Sequence, residues 1–293
     1  MHITKRARSL ENLVALGALA VGFAAPAGAG YMETVLADNP VAYWRLGETS
    51  GSATAADASG HGHTATYGGT PALGTLGAIV GDANTAATLN GSSQYAQVNN
   101  AGTGTLVPGA GSWTMECWAA TTVKKDAVLM KWYDGVPGGG YGIYCIGTNA
   151  SGQLYAQIRD DATSPHAATL YVSPGIFDGK WHYIAAVLNR TSNTLSIYVD
   201  GQLFGTPTDT ANVGSIVGRV STAPFTIGRS YQAIPDKYFS GSIDEVALYD
   251  SALTASDAMA HYLAAIPEPA SLGLLTLGGL LVLRRRRELT RRA

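Results

Sequence analysis

Carboxylates are the side chains in this sequence best suited to cleaving a polymer, and they are few. Between residues 30 and 265 the glutamates are Glu33, Glu48, Glu116 and Glu245. Retaining glycoside hydrolysis needs two carboxylates about 5–5.5 Å apart, and on one strand this requires alternate positions, because adjacent side chains point to opposite faces. The nearest imitation, Asp244-Glu245, is an adjacent pair and on a regular strand cannot act on one sugar. Serine chemistry is unsupported, since no Gly-x-Ser-x-Gly turn occurs. Cys117 and Cys145 have no basic or histidine neighbour and no CxxC spacing, which argues against a thiol nucleophile or a zinc site. They either close a disulfide, if the protein is exported, or remain two buried thiols. His61 and His63 lack a third nitrogen or sulfur ligand and read as exposed polar residues. His182, beside Trp181, reads as a strand residue with a satisfied ring.

What remains is binding chemistry. Sugars present C–H faces that stack on aromatic rings, while polar side chains read their hydroxyls. Trp132 and Tyr133 precede the glycine-rich stretch 134–140, Tyr141 follows it, and Tyr231 stands in a later loop. These four are the expected ligand contacts, although Trp132 fits equally well as a core filler.

Such residues need a scaffold, and its clearest stretch is residues 178–205. Alternation along 181–188 and 194–199, separated by the polar turn 190–193, predicts antiparallel strands. Asp200-Gly201 supplies the positive φ angles of a tight hairpin into a third strand. Residues 112–122 are apolar on both faces, which predicts a mid-sheet position. Residues 86–89 and 95–98 read as a strand pair across Asn90-Gly91. Thr254 to Asp257 forms a capping box that opens a helix ending near residue 265.

Trp-His before a strand, with Tyr-Val-Asp-Gly closing the next, resembles the middle of laminin-G-like modules in the concanavalin-A-like class. Tyr-Trp-Arg-Leu-Gly-Glu at 43–48, followed by Asp57, Ser59-Gly60 and His61-Gly62-His63, is similar to their opening. The strand 239–250, with Ile-Asp-Glu-Val at its centre, is similar to their close. The resemblance covers roughly residues 38–264 and implies an all-β, antiparallel jelly-roll sandwich. The laminarinase branch of the class carries Glu-x-Asp-x-x-Glu, which is absent here, so the expectation is a non-catalytic binding domain, with a divergent glycan-active enzyme as an alternative. Relatives commonly hold calcium at the sandwich rim, which points to Asp57, Gly60 and Asp244 as ligands. Asp244 shares alternating positions with Val246 and Leu248, so its carboxylate is expected to be partly buried and in need of a cation or several donors. The alternative is an Asx turn at Asp57 and backbone capping by Asp244.

The ends read as addresses. Lys5, Arg6 and Arg8 precede an apolar run, and Ala27-Gly28-Ala29 is a small-residue cleavage site, so residues 1–29 are expected to be a signal peptide with an N-terminal helix. Residues 30–265 form the jelly-roll domain. In residues 266–293, Pro267-Glu268-Pro269 is followed by a short apolar helix and an arginine cluster. This tail resembles the PEP-CTERM sorting signal of Gram-negative bacteria, which implies an exosortase-type enzyme as partner. It also implies transient inner-membrane anchoring and delivery to the cell surface or extracellular matrix. Between residues 30 and 266, ten Lys and Arg stand against eighteen Asp and Glu, a net charge of −8. That balance argues against nucleic acid and fits an extracellular polysaccharide or a matrix protein.

Overall fold

The computed structural model describes residues 30–99, 106, 109–125, 127–135, 141–160, 162, 166–215, 224–230 and 237–266, without the side chains of 128, 131–135 and 141–143. Sixteen strands and two helices follow one another along this part of the chain. The first sheet contains β1 (Ala42–Trp44), β4 (Ala72–Leu76), β5 (Thr85–Asn90), β7 (Trp113–Ala120), β12 (His182–Asn189), β13 (Thr194–Val199), β14 (Gln202–Asp209) and β16 (Ser240–Tyr249). Its order is β14-β13-β12-β7-β16-β5-β4, with β1 paired to β16. The second sheet contains β2 (Thr54–Ala55), β3 (Ala65–Gly68), β6 (Tyr95–Val98), β8 (Ala127–Gly135), β9 (Tyr141–Thr148), β10 (Leu154–Arg159), β11 (Ala167–Val172) and β15 (Phe225–Ile227). It runs β11-β10-β9-β8-β15-β6-β3-β2. The two antiparallel sheets enclose a core that includes Trp44, Trp113, Met115, Cys117, Tyr144, Phe225 and Val246. This is a two-layer antiparallel β-sandwich, as the motifs implied.

The central meander forms as its alternation dictates. Val199 pairs with Gln202 across Asp200 and Gly201, whose φ angles are +50° and +75°. β7 lies between β12 and β16. It is buried on both faces because α1 (Tyr31–Ala37) and α2 (Ala255–Ala265) pack on the outside of the first sheet. Tyr31 and Val35 of α1 join Ala258 of α2 over Tyr183, Ala185 and Tyr249 in a second core. α2 starts at the expected capping box: the Thr254 hydroxyl accepts from Asp257 N at 3.2 Å, and the Asp257 carboxylate accepts from Thr254 N at 2.7 Å.

One expected pairing changes, and one open alternative is decided. β5 and β6 are not a hairpin, because β5 pairs with β4 and β16 while β6 pairs with β3 and β15. The Asn90 side chain accepts from the amides of Ser92, Ser93 and Gln94, and this turn carries the chain from one sheet to the other. Cys117 and Cys145, on β7 and β9 of opposite sheets, are buried and not joined by a disulfide.

Candidate functional site

Asp244 and Glu245 do not alternate as a regular strand requires. The register of β16 against β7 slips by one residue between Asp244 and Ala247, and Glu245 has a φ of +51°. Such a bulge inserts an extra residue and re-aims side chains. Ile243 and Val246, three apart, both reach the inter-sheet core. Asp244 therefore does not share the face of Val246 and Leu248. Its Oδ2 accepts from Ala78 N at 2.8 Å, and its Oδ1 lies 3.4 Å from Asn84 Nδ2. Glu245 Oε1 accepts from the same Asn84 nitrogen at 3.1 Å, from Arg45 Nη2 at 2.8 Å and from Arg45 Nε at 3.0 Å, and its Oε2 accepts from the Tyr43 hydroxyl. Burial and the neighbouring Glu245 push the Asp244 carboxyl well above the ordinary aspartate range. Burial also raises Glu245, with Arg45 and Tyr43 opposing that rise, so Glu245 is the acid of the two that ionises first. Both side chains are fully buried, and no sugar reaches either.

Glu116 is the other buried acid, set in the middle of an apolar strand. Its carboxylate accepts from the hydroxyls of Tyr183 and Tyr249 and from His261 Nδ1 at 2.9 Å. His261 Nε2 meets Asp38 at 3.0 Å, so the network ties both helical segments to the sheet. Burial alone would lower the His261 pKa, but Glu116 and Asp38 raise it above 6.5. A carboxylate so fully partnered beneath two helices is a structural element, not a reacting group.

The exposed chemistry lies on the outer face of the second sheet. β10 and β11 alternate cleanly: Leu154, Ala156, Ile158, Ala168, Leu170 and Val172 face the core. Tyr155, Gln157, Thr169 and Tyr171 occupy the opposite face. Tyr155 and Tyr171 are direct cross-strand partners, with ring centroids 5.7 Å apart at 45°. Tyr171 is 53% exposed. Gly147, paired with Tyr155 on β9, leaves no room for a side chain: a Cβ there would come within 2.6 Å of both the Ala127 carbonyl and the phenol end of Tyr155. The ring therefore lies down over the neighbouring strand. Gln157 Nε2 donates to Thr169 Oγ1 at 2.9 Å beside it. The result is an aromatic platform with an amide and a hydroxyl fixed next to it.

Residues 90–258 match a laminin G family described as the concanavalin A-like lectin/glucanases superfamily, a match over more than half of the chain. The chain belongs to this superfamily. Among solved structures, the binding domain of botulinum neurotoxin serotype D is similar over 80% of this chain and 52% of its own, with TM-score 0.54 and 13% identity. The serotype D ligand-binding domain in complex with N-acetylneuraminic acid gives TM-score 0.56 and 12% identity over the same shares. The binding domain of Paraclostridial Mosquitocidal Protein 1 gives 0.55 and 17% over 78% and 52%. These identities show the fold alone, and this chain spans about half the length of each of those chains. No curated protein sequence matches it.

In this concanavalin A-like domain the expected rim ligands turn to protein donors. Asp57 accepts from the amides of Tyr43, Ser59 and His63 at 3.0, 2.9 and 2.8 Å and from the Ser59 hydroxyl at 2.6 Å. Burial raises its pKa, but the Ser59 hydroxyl and these amides hold it below the ordinary aspartate value. Gly60, at φ +86°, shapes the same turn, in which His61 Nδ1 meets Ser59 Oγ at 3.1 Å and His63 O accepts from Trp44 Nε1 at 2.7 Å. Asp57 and Asp244 belong to separate hydrogen-bond sets. Among the described residues no three acidic, histidine or cysteine side chains cluster as a metal site. This arrangement does not fit the six to eight oxygen ligands of calcium.

Of the expected ligand contacts, Tyr231 lies outside the described residues, as do the side chains of Trp132, Tyr133 and Tyr141. Pro267, Glu268 and Pro269 are outside as well. Tyr155 and Tyr171 were not among those contacts, which were sought in loops. The signal that could have found them is an aromatic at the polar phase of each of two alternating strands.

Proposed function

We propose that this domain binds carbohydrate without catalysis, through the Tyr155–Tyr171 platform. The observation that carries this is an aromatic pair, Tyr171 exposed and Tyr155 half-buried beside it, flanked by Gln157 and Thr169 on an otherwise alternating strand pair. Pyranose C–H faces stack on such rings, and the amide and hydroxyl read the sugar's hydroxyls. Membership of a lectin-containing superfamily supports the reading, as does a similar fold solved with N-acetylneuraminic acid. Full burial of Glu116 and Glu245 supports a non-catalytic role.

The reading places the domain at the cell surface or in the extracellular matrix. Residues 1–29 serve as the export signal, and the Pro267-Glu268-Pro269 tail serves as the substrate of an exosortase-type enzyme at the inner membrane. A matrix protein is the alternative ligand, favoured by Leu203 and Phe204, exposed at 47% and 37% on edge strand β14. Retention of the purified chain on immobilised polysaccharides tests the proposal. Retention that disappears in Tyr171→Ala supports it, and absence of retention on every glycan transfers the assignment to protein contacts.

A further inference from the structure

A groove of about 340 Å³ opens at the end of the sandwich where β10 begins and β11 ends. Three connections build it: the segment between β7 and β8 brings Lys124, the β9–β10 turn brings Ser151, and the segment between β11 and β12 brings Ser173, Phe177 and Asp178. The groove continues the tyrosine platform, because Ser173 follows Tyr171 by two residues, about 7 Å along an extended strand. Gly152 and Gly175 hold φ angles of +77° and +79°, the left-handed region that turns the chain around the opening.

Its chemistry suits a polyol. Phe177 is partly buried against the inter-sheet core, which fixes its ring at the groove wall. The Lys124 ammonium stands 6.0 Å from that ring centroid. Asp178 is positioned from behind: its Oδ1 accepts from Lys180 N at 2.8 Å and meets His182 Nε2 at 3.2 Å, while His182 Nδ1 meets Asp200 Oδ2 at 2.9 Å. One aromatic ring, one ammonium, one braced carboxylate and two serines thus surround a volume at the low end of the about 300–1,000 Å³ range of small-molecule clefts. Lys124 and Asp178 are the charged side chains of the lining, and Asp178 Oδ2 is already paired with Lys180 Nζ at 3.5 Å. A body with ten basic against eighteen acidic residues repels polyanions and favours a neutral ligand.

We propose that this groove is the end subsite of an extended glycan site, taking the terminal hexopyranose of a neutral chain whose preceding unit stacks on Tyr171. The inference rests on the carbohydrate reading above and adds chain length and neutrality to it. The Phe177 ring packs on the sugar's C–H face, Asp178 accepts from its hydroxyls, and Lys124, Ser151 and Ser173 donate to its oxygens.

The test is calorimetric titration of the full chain with linear glucose, mannose and galactose oligomers of one to six units. For the series that binds, affinity rises at least tenfold between the monosaccharide and a chain of several units. Phe177→Ala and Asp178→Asn each abolish that rise, and Tyr171→Ala weakens every length. Equal affinity for all lengths in the unmodified protein overturns the end subsite and leaves the platform standing. So does a length dependence that Phe177→Ala and Asp178→Asn leave intact. If none of these neutral oligomers binds but an acidic oligosaccharide does, the neutral-chain inference fails alone. If no glycan of either kind binds, the carbohydrate reading fails with it. Circular dichroism and thermal melts confirm that each variant is folded.

Discussion

Glu116 and His261, 145 residues apart in the chain, meet inside the protein with Nδ1 2.9 Å from Oε2 and both side chains fully buried. The contact joins the middle of β7 to α2, and through Asp38 it reaches the end of α1. Removing one partner of a buried pair strands the other and typically costs about 3–5 kcal/mol. Glu116→Ala is therefore expected to lower the urea unfolding free energy by about that amount, and a loss below about 1 kcal/mol would contradict the structural role assigned to this network.

The same pair sets a pH dependence. His261 has a folded-state pKa above its ordinary value, because Glu116 and Asp38 outweigh burial. Its contribution to stability is complete below about pH 6.5 and is lost as pH rises through the folded pKa. The unfolding midpoint should fall as pH is raised above about 6.5, and the fall should shrink in His261→Ala. His182, raised by Asp200 and Asp178 against burial, supplies a slope of the same sign that survives in that variant.

Asp244 and Glu245 should respond differently to neutral replacements. Burial and the adjacent Glu245 hold Asp244 toward its protonated form, whereas Arg45 makes three hydrogen bonds to Glu245. Asp244→Asn is expected to cost about 1 kcal/mol or less, while Glu245→Gln removes the buried counter-charge of Arg45, leaves it only the half-buried Asp82 at 2.6 Å, and costs more, about 3 kcal/mol. Denaturant melts at pH 7 read the difference, and equal losses would argue against this division of protonation.

Chelation should have no effect on the fold. Asp57 already accepts four hydrogen bonds, three of them from backbone amides. A thermal midpoint unchanged within about 1 °C by excess EDTA is the expected result. A large downward shift would indicate a bound cation, since loss of a ligand specific to the native state destabilises it.

Much of this scaffold is legible in the residues. Alternation fixed 181–188 and 194–199, and Asp200-Gly201 specified its turn, because these signals are local. Sheet membership is not local. Asn90-Gly91 has the residues of a hairpin turn, yet its flanking strands pair with partners far along the chain, and only those partners separate the sheets. The bulge at Glu245 is only half visible: two acids between Ile243 and Val246 put the apolar phase out by one residue, but register against β7 and β1 decides which residue is the extra one. Helix α1 went unforeseen because seven residues carry too little periodicity, and burial of Tyr31 and Val35 secures it. For the site, the tyrosines were visible as residues, but their meeting depends on the pairing of β10 with β11.

The central claim is that Tyr171 and Tyr155 form the sugar platform. The most direct measurement compares the unmodified chain with Tyr171→Ala for retention on immobilised neutral polysaccharides. Tyr171 is largely exposed, so this substitution should leave the melting temperature nearly unchanged while reducing retention at least tenfold, about 1.4 kcal/mol, which lies within the range for one aromatic contact. Full retention by a folded Tyr171→Ala protein would contradict the assignment of this face.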